Sequence, residues 1–399
     1  MTTPHDAAGA LIEQRRDDLL ALSHAIHGDA EIGFEEHTSS ARVAEVLTAA
    51  GFDVTHGTAG MDTAVVATYG SGPLEIGVCA EYDALPGVGH ACGHNVIAAA
   101  GVGAALALAE VADEVGLTVR LLGTPAEEGG GGKILMLDAG SFDGLHAAMM
   151  VHPSPFEQAS LGCLAVTHVD VHYAGRSSHA SAFPELGRNA ADALTVAQVG
   201  IGLLRQHVSN DARIHGIVTD GGDAPNVVPE RTGGTWLVRH ETLADLEELY
   251  PRVRACFEAG ALATGTELTI TSTGPAYSEF DSDTALAAAY QRHAEELGRE
   301  FPDLTAIADQ VRGSTDMANV SLELPTIHPM LAIETDGAVN HQPEFTAACI
   351  KPSADRATLD GALAMARTAI TAATEDDLRD RLLANGGYDS TGYEAPYLT

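Results

Sequence analysis

The sequence predicts an α/β protein, a helix-covered mixed sheet interrupted by a small inserted α+β sandwich. Three observations predict it. Strand-like and helix-like apolar patterns alternate through the first 165 residues and resume from about 283. Between them the order becomes strand–helix–strand–strand–helix–strand, with strands of mixed polarity. A chain of 399 residues is also too long for one ordinary core. The boundaries that follow are a larger domain over 1–165 plus 276–399 and an insertion over 166–275.

The elements are justified in order. Residues 11–50 read as helical, with apolar positions Leu19, Leu20, Leu22 and Ile26, then Val43, Val46 and Leu47. "MDTAVVATYG" opens the β-rich part, and "PLEIGVCA" is the next strand. A helix over 96–110, the strand "LTVRLLGT", a short helix over 133–139 and the strand "AAMMVHP" follow. In the insertion, "LAVTHVDVHYAG", "RIHGIVTDGG", "RTGGTWLVRHE" and "TELTITST" are strands. "GRNAADALTVAQVGIGLL" and residues 243–260 are its helices. "PTIHPMLAIE" is a late strand of the larger domain.

Composition excludes several classes of function. Hydrophobic content of 45% marks a globular chain rather than a disordered one. The first residues, "MTTPHDAAGALIEQRRDD", lack the apolar segment of a secretory signal. Val96–Ala109 is the longest uncharged apolar run; it is too short to span a bilayer and reads as a buried helix. The 5 cysteines are odd in number and scattered, which argues against a disulfide framework and suits a reducing cytoplasm. The net charge is −35, and Lys133 and Lys351 are the only lysines. Such a surface repels nucleic acid and anionic lipid, so neither is an expected partner, and it stays soluble at high ionic strength.

Three strands of the larger domain end in residues of ligand type. One runs into "EYDALPGVGHACGH", one into "TPAEEGGGG" and one into "MMVHP". Ligands of open α/β sheets gather beyond the carboxyl ends of strands. Cys92, His94, Glu127, Glu128 and His152 would then meet at one edge, and His341 of "DGAVNHQPEF" would join them. Each has a plainer reading: a buried thiol, a strand-capping histidine, two solvated glutamates. Their joint placement beside Gly and Pro turns outweighs those readings, and thiolate, imidazole and carboxylate together suit an ion such as Zn²⁺. "GGGGK" is not a phosphate loop, because Glu127 replaces the first glycine and Ile134 the Ser/Thr.

The motifs "AEYDALPGVGHACGHN", "TPAEEGGGGK", "MMVHP", "GRSSHASAFPELGRNAADA", "APNVVPE" and "NHQPEF" occur in order across most of the chain. In them the chain resembles the M20 metallopeptidases, in the amidohydrolase branch of aminobenzoyl-glutamate hydrolases, aminoacylases and auxin-conjugate hydrolases. The resemblance implies a zinc-exopeptidase-like catalytic domain and a ferredoxin-like inserted domain for dimerisation and as a lid. It implies two divalent ions per subunit, Zn²⁺ first and Mn²⁺ or Co²⁺ as alternatives. Cys92 would bridge them, with His94 and His152 on one ion and Glu128 and His341 on the other. Glu127 would be the general base and Asp83 would orient a ligand. Glu81 departs from the wider pattern, standing where peptidase branches have a histidine ligand.

For the insertion, the resemblance implies that His179 reaches the partner subunit's site as an oxyanion donor. It implies that Asn189, Asn226 and Arg239 contact substrate, although a surface arginine is an equal reading of Arg239 by position. His168, His172 and His215 read as structural, and Ser314, Asp316 and Asn319 as pocket-lining. The expected activity is hydrolysis of the amide bond of an N-acyl or N-aroyl amino acid or dipeptide-like substrate by a cytoplasmic homodimer or tetramer. The alternatives are a dipeptidase, an N-carbamoyl amidohydrolase, or a non-catalytic metal- or amino-acid-binding homologue.

Overall fold

Leu74–Glu81 (β3) is buried along nearly its whole length, which its run of branched and small apolar residues requires of a central strand. The computed structural model describes residues 2–160, 162–304 and 312–398. The chain divides into two compact units, one of residues 1–162 with 280–395 and one of 163–279 with 396–399.

The larger unit begins with helices α1 (Pro4–Gln14), α2 (Arg16–Asp29) and α3 (His37–Ala49), where the apolar pattern suggests one helical stretch. The breaks have local causes. Thr3 caps α1 by accepting from Asp6 N–H, and Ala30 ends α2 in the left-handed conformation at φ 46°. Strands β1 (Asp53–Thr58), β2 (Met61–Gly70) and β3 follow, then helix α4 (His94–Val115) and strand β4 (Leu117–Thr124). Helix α5 (Gly132–Asp138), strand β5 (Ala147–Met149) and strand β6 (His152–Ser154) complete the first part.

The main sheet has the order β1-β2-β4-β3-β5-β11, where β11 is Thr326–Ile327. It is mixed: β3, β4, β5 and β11 run parallel, β2 pairs antiparallel with β4, and β1 pairs antiparallel with β2 at the edge. "AAMMVHP" is therefore two strands, not one. β5 pairs in the main sheet, while β6 pairs with β12 (Met330–Ala332) in a separate two-stranded ribbon. "PTIHPMLAIE" divides the same way, because Pro329 has no N–H to continue a ladder.

Helix α4 is the centre of the core. It runs longer than the periodicity suggests because Gly93 and Gly116, both left-handed, bound it at either end. By length and composition it would suffice to cross a membrane, but 89% of its most apolar window is buried inside the protein, as befits a core helix. Helices α8 (Thr284–Glu296), α9 (Met317–Glu323), α10 (Pro343–Ala348), α11 (Pro352–Thr374) and α12 (Asp376–Asn385) close the unit. α11 packs along α4 through alanines and glycines; Gly103 lies so near Ala362 that a Cβ there would stand 2.9 Å away.

The smaller unit is an antiparallel sheet of order β10-β7-β9-β8. Its strands are β7 (Ala165–Ala174), β8 (Arg213–Asp220), β9 (Arg231–His240) and β10 (Glu267–Ser272). Helices α6 (Ala190–Leu204) and α7 (Leu243–Thr264) share its core with Trp236, Phe257 and Tyr173. Pro396 belongs here, since its carbonyl accepts from Ala276 N–H at 2.7 Å.

Candidate metal centre

Three strand ends and one late loop of the larger unit supply the site. β3 ends at Glu81 and is followed by Asp83. A tight turn then carries Cys92 to the start of α4, whose first residue is His94. The turn is pinned by Gly93 N–H donating to the His90 carbonyl and by the His90 ring bonding the Ile26 carbonyl at 3.0 Å. Gly93 is required twice over. Its φ is 78°, and a Cβ would stand 2.4 Å from Pro153 Cγ. That close approach sets Cys92 beside His152 at the head of β6.

β4 delivers the two glutamates. Beyond it, Ala126 is held at φ 53° by donating its N–H to Glu36 Oε1 at 2.8 Å and accepting at its carbonyl from Gly130 and Gly131. A left-handed alanine costs about 1 kcal/mol or more, and the turn it makes faces Glu127 and Glu128 into the site. His341 is also left-handed, at φ 71°, with its N–H donating to the Ala91 carbonyl at 2.8 Å.

The donor atoms converge. Cys92 Sγ is 3.4 Å from His152 Nε2 and 3.6 Å from His341 Nε2. His341 Nε2 is 3.4 Å from Glu128 Oε1. Cys92, His94 and His152 form one group within 4.8 Å, Cys92, Glu128 and His341 a second, and Glu81, His94 and Glu127 a third. Cys92 is common to the first two.

The tautomers are set by neighbours. His94 Nδ1 donates to Asp83 Oδ1 at 2.9 Å and His152 Nδ1 to the Pro153 carbonyl at 2.9 Å, which leaves the lone pair of His152 Nε2 facing the thiol. Asp83 Oδ2 accepts from Glu128 N–H at 3.0 Å, so one carboxylate orients both an imidazole and the glutamate turn.

These residues fit divalent ions. His94 Nε2 and Glu128 Oε1 are buried without a hydrogen-bond partner. Donors bonded to one tetrahedral ion at about 2.0–2.3 Å stand roughly 3.3–3.6 Å apart, which is the spacing seen here. The electrostatics agree. Burial, then Glu128, pushes the Cys92 thiol well above its ordinary value. Burial pulls the His94 imidazole down, but Asp83 and Glu81 outweigh it and lift it well above its ordinary value. Burial takes His152 down to about 4. Asp83 and Glu81 thus favour positive charge beside His94, and a cation at the convergence point would hold Cys92 as a thiolate. Burial, then Glu81 and Glu128, raises Glu127 well above the usual carboxylate range. Its Oε2 lies 3.9 Å from His94 Nε2, beyond the spacing of the other donors.

Part of this site gives no clear signal in the sequence. Lys133, wholly buried, sits between Glu81 Oε1 at 2.5 Å and Asp316 Oδ1 at 2.6 Å. Its backbone N–H also donates to Asp316 Oδ2 at 2.9 Å. The one hint is its rarity, since it is one of only 2 lysines and follows the glutamate pair closely. Asp316, expected to line a pocket, is turned to this lysine. Asn340 reaches the Pro153 carbonyl at 3.3 Å. His328 lies with its ring 5.4 Å from that of His152, buried and neutral, with burial taking it to about 3.

The remaining expected residues belong to the smaller unit. His179 is exposed, and its Nδ1 accepts from the N–H groups of Ser181 and Ala182 at 3.3 Å, so the proton resides on Nε2. Asn226 lies beside it, its carbonyl accepting from Ala180 N–H at 3.0 Å. Asn189 caps α6, its Oδ1 accepting from Ala191 N–H at 2.9 Å and Asp192 N–H at 3.3 Å, a structural duty beyond the substrate contact expected of it. Arg239 is half-buried on β9 opposite Val166 and Arg213. His168, taken to about 4 by burial and then by Arg239, lies near it.

Comparison with known proteins gives consistent matches. A model of Peptidase family M20/M25/M40 matches residues 77–358. The Xaa-Arg dipeptidase of Mus musculus is 38% identical over 377 residues, which span 91% of this chain and 87% of that protein. One of the p-aminobenzoyl-glutamate hydrolase polypeptides of Escherichia coli (strain K12) is 34% identical over 276 residues, 64% of this chain and 57% of that protein. A crystal structure from Bacillus subtilis, described as a dinuclear metal binding peptidase from the M20 family, shares the fold. Its TM-score is 0.65 at 20% identity, covering 90% of this chain and 98% of that one.

Proposed function

The chain belongs to peptidase family M20/M25/M40 and is a metal-dependent amidohydrolase, and from that premise we propose that it hydrolyses the amide bond of an N-acyl or N-aroyl amino acid or a dipeptide-like substrate. The observation that carries the reading is Glu127, a buried carboxyl held well above the usual carboxylate range and set at the rim of a two-centre donor cluster. Cys92, His94 and His152 would hold one divalent ion, and Cys92, Glu128 and His341 the other, with Zn²⁺ the expected metal and Mn²⁺ or Co²⁺ substitutes. When bound, such ions supply Lewis acidity toward a carbonyl and acidify water. Glu127 then takes the proton of the attacking water at its carboxylate and passes it to the leaving amine nitrogen. Asp83 keeps the His94 ring and the Glu128 backbone in place while this happens. Dialysis against a chelator should abolish hydrolysis, and Zn²⁺, Mn²⁺ or Co²⁺ should restore it; full activity in metal-free protein would end the proposal.

A dipeptide substrate is supported by the mouse relative, which is named as a dipeptidase and whose identity extends over most of both chains. The aminobenzoyl-glutamate relative supports the N-aroyl reading. Turnover measured side by side on Xaa-Arg dipeptides, N-acyl amino acids and aminobenzoyl-glutamate decides between them.

The smaller unit is proposed to be a ferredoxin-like dimerisation and lid domain. Its order β10-β7-β9-β8, with helices after the first and third strands, supports that topology. Val196, Val199 and Leu203 form an exposed apolar stripe on α6, with Leu203 69% exposed, and Ile217 and Val218 are exposed on the edge strand β8. A second copy would cover both. His179, with its proton on Nε2, would serve the partner's site as an oxyanion donor, with Asn226 and Arg239 as substrate contacts. Mixing unfolded Glu127→Ala and His179→Ala chains and refolding them together should restore about a quarter of wild-type sites, since half the dimers are mixed and one site in each is complete. A mixture that exchanges subunits yet stays inactive removes His179 from that role.

A further inference from the structure

We infer that Glu81 is a further metal ligand, contributing Oε2 to the ion that His94 Nε2 holds, while Lys133 anchors its other oxygen. The inference rests on the metal-dependent reading and adds to it a residue that the sequence pattern sets aside. Glu81 is fully buried at the end of β3, and neither of its carboxylate oxygens is aligned for a hydrogen bond. Its two oxygens face different things. Oε1 lies 2.5 Å from Lys133 Nζ, and Oε2 lies 3.3 Å from His94 Nε2.

With His94 Nδ1 paired to Asp83, His94 Nε2 and Glu81 Oε2 are left facing each other, both buried and neither aligned for a hydrogen bond. A divalent ion between them would give both atoms a partner. The 3.3 Å separation is that of two donors on one ion at about 2.0–2.2 Å. Glu127, the other carboxyl of the same group, stands at 3.9 Å and fits better the role of a base beside the ion. Lys133 explains why a carboxylate is tolerated so deep. It is shared with Asp316, whose oxygens take the lysine Nζ and backbone N–H, so Glu81 keeps one oxygen uncommitted. The rotamer is held before any ion arrives, which limits the ordering cost of binding.

The test measures metal, not turnover. Wild type and Glu81→Gln are loaded with Zn²⁺, and ion content and affinity are read by elemental analysis and competition with a chromogenic chelator. A residue outside the coordination sphere typically costs about 10–100-fold in metal affinity when changed. Loss of one of the two ions, or a weakening of one site by more than about 100-fold, is expected for a ligand. Two ions held with affinity within about 100-fold of wild type would overturn the inference, as would a crystal of the Zn²⁺-loaded wild type with Glu81 Oε2 beyond about 3 Å from the nearest ion. That crystal also decides the matter if the glutamine variant does not fold. Failure of the underlying reading looks different: wild type itself would then hold no ion.

Discussion

Glu127→Gln is expected to keep both metal ions and to lose at least about 10²-fold in turnover, the usual scale of general acid–base catalysis. Glutamine preserves the shape and the turn at Ala126, so the donors Cys92, His94, Glu128, His152 and His341 are not moved. It cannot accept and return a proton. In the wild type, burial together with Glu81 and Glu128 holds the Glu127 carboxyl well above its ordinary range, which makes it a stronger base than a solvated carboxylate. The measurements are kcat with a hydrolysable amide and metal content by elemental analysis on the same preparation. If metal and activity disappear together, Glu127 is a ligand and its role is exchanged with that of Glu128.

Lys133→Met is expected to destabilise the larger unit by about 3–5 kcal/mol, the cost of leaving buried charge without its partner. Methionine fills nearly the same volume, so the loss is electrostatic rather than a cavity. Lys133, Glu81 and Asp316 are all fully buried, and the lysine touches both carboxylates. pH separates the two explanations. Burial lifts Asp316 to about 6 even with the lysine present, and Lys133 opposes that rise. Without the lysine it rises further. A group whose folded value lies above its unfolded one adds stability at low pH and loses it as pH rises through the folded value. The deficit of the variant should therefore shrink on acidification toward about pH 5, whereas a packing defect would not respond. Thermal melts of both proteins across that range read it, and a variant that melts with wild type at neutral pH contradicts the account.

Much of the candidate site is legible in the sequence because it is local. "GHACGH" places Cys92 and His94 two residues apart at a helix start, and "AEEGG" puts two glutamates at a strand end. Such short-range signals need no knowledge of pairing. The mixed sheet and the core helix α4 are legible for a related reason, since apolar runs bounded by glycine mark buried elements whatever they pack against. "AAMMVHP" reads as one strand because its apolar pattern is continuous. Only the pairing of β5 with β11 and of β6 with β12 divides it.

The sequence by itself determined the candidate donor types and the segments that carry them, because residue identity and helix and strand periods are local properties. The tertiary structure alone decided which atoms meet. It brought His341 to Cys92 across 249 positions of chain and Lys133 to Asp316 across 183. It gave Asn189 to a helix cap and set Glu81 between a buried ammonium and the His94 ring. Each of these depends on which surfaces exclude water together, and burial changes what a side chain can do. A glutamate that would be solvated and unremarkable at a loop becomes, once wholly buried, a charge that must find a cation.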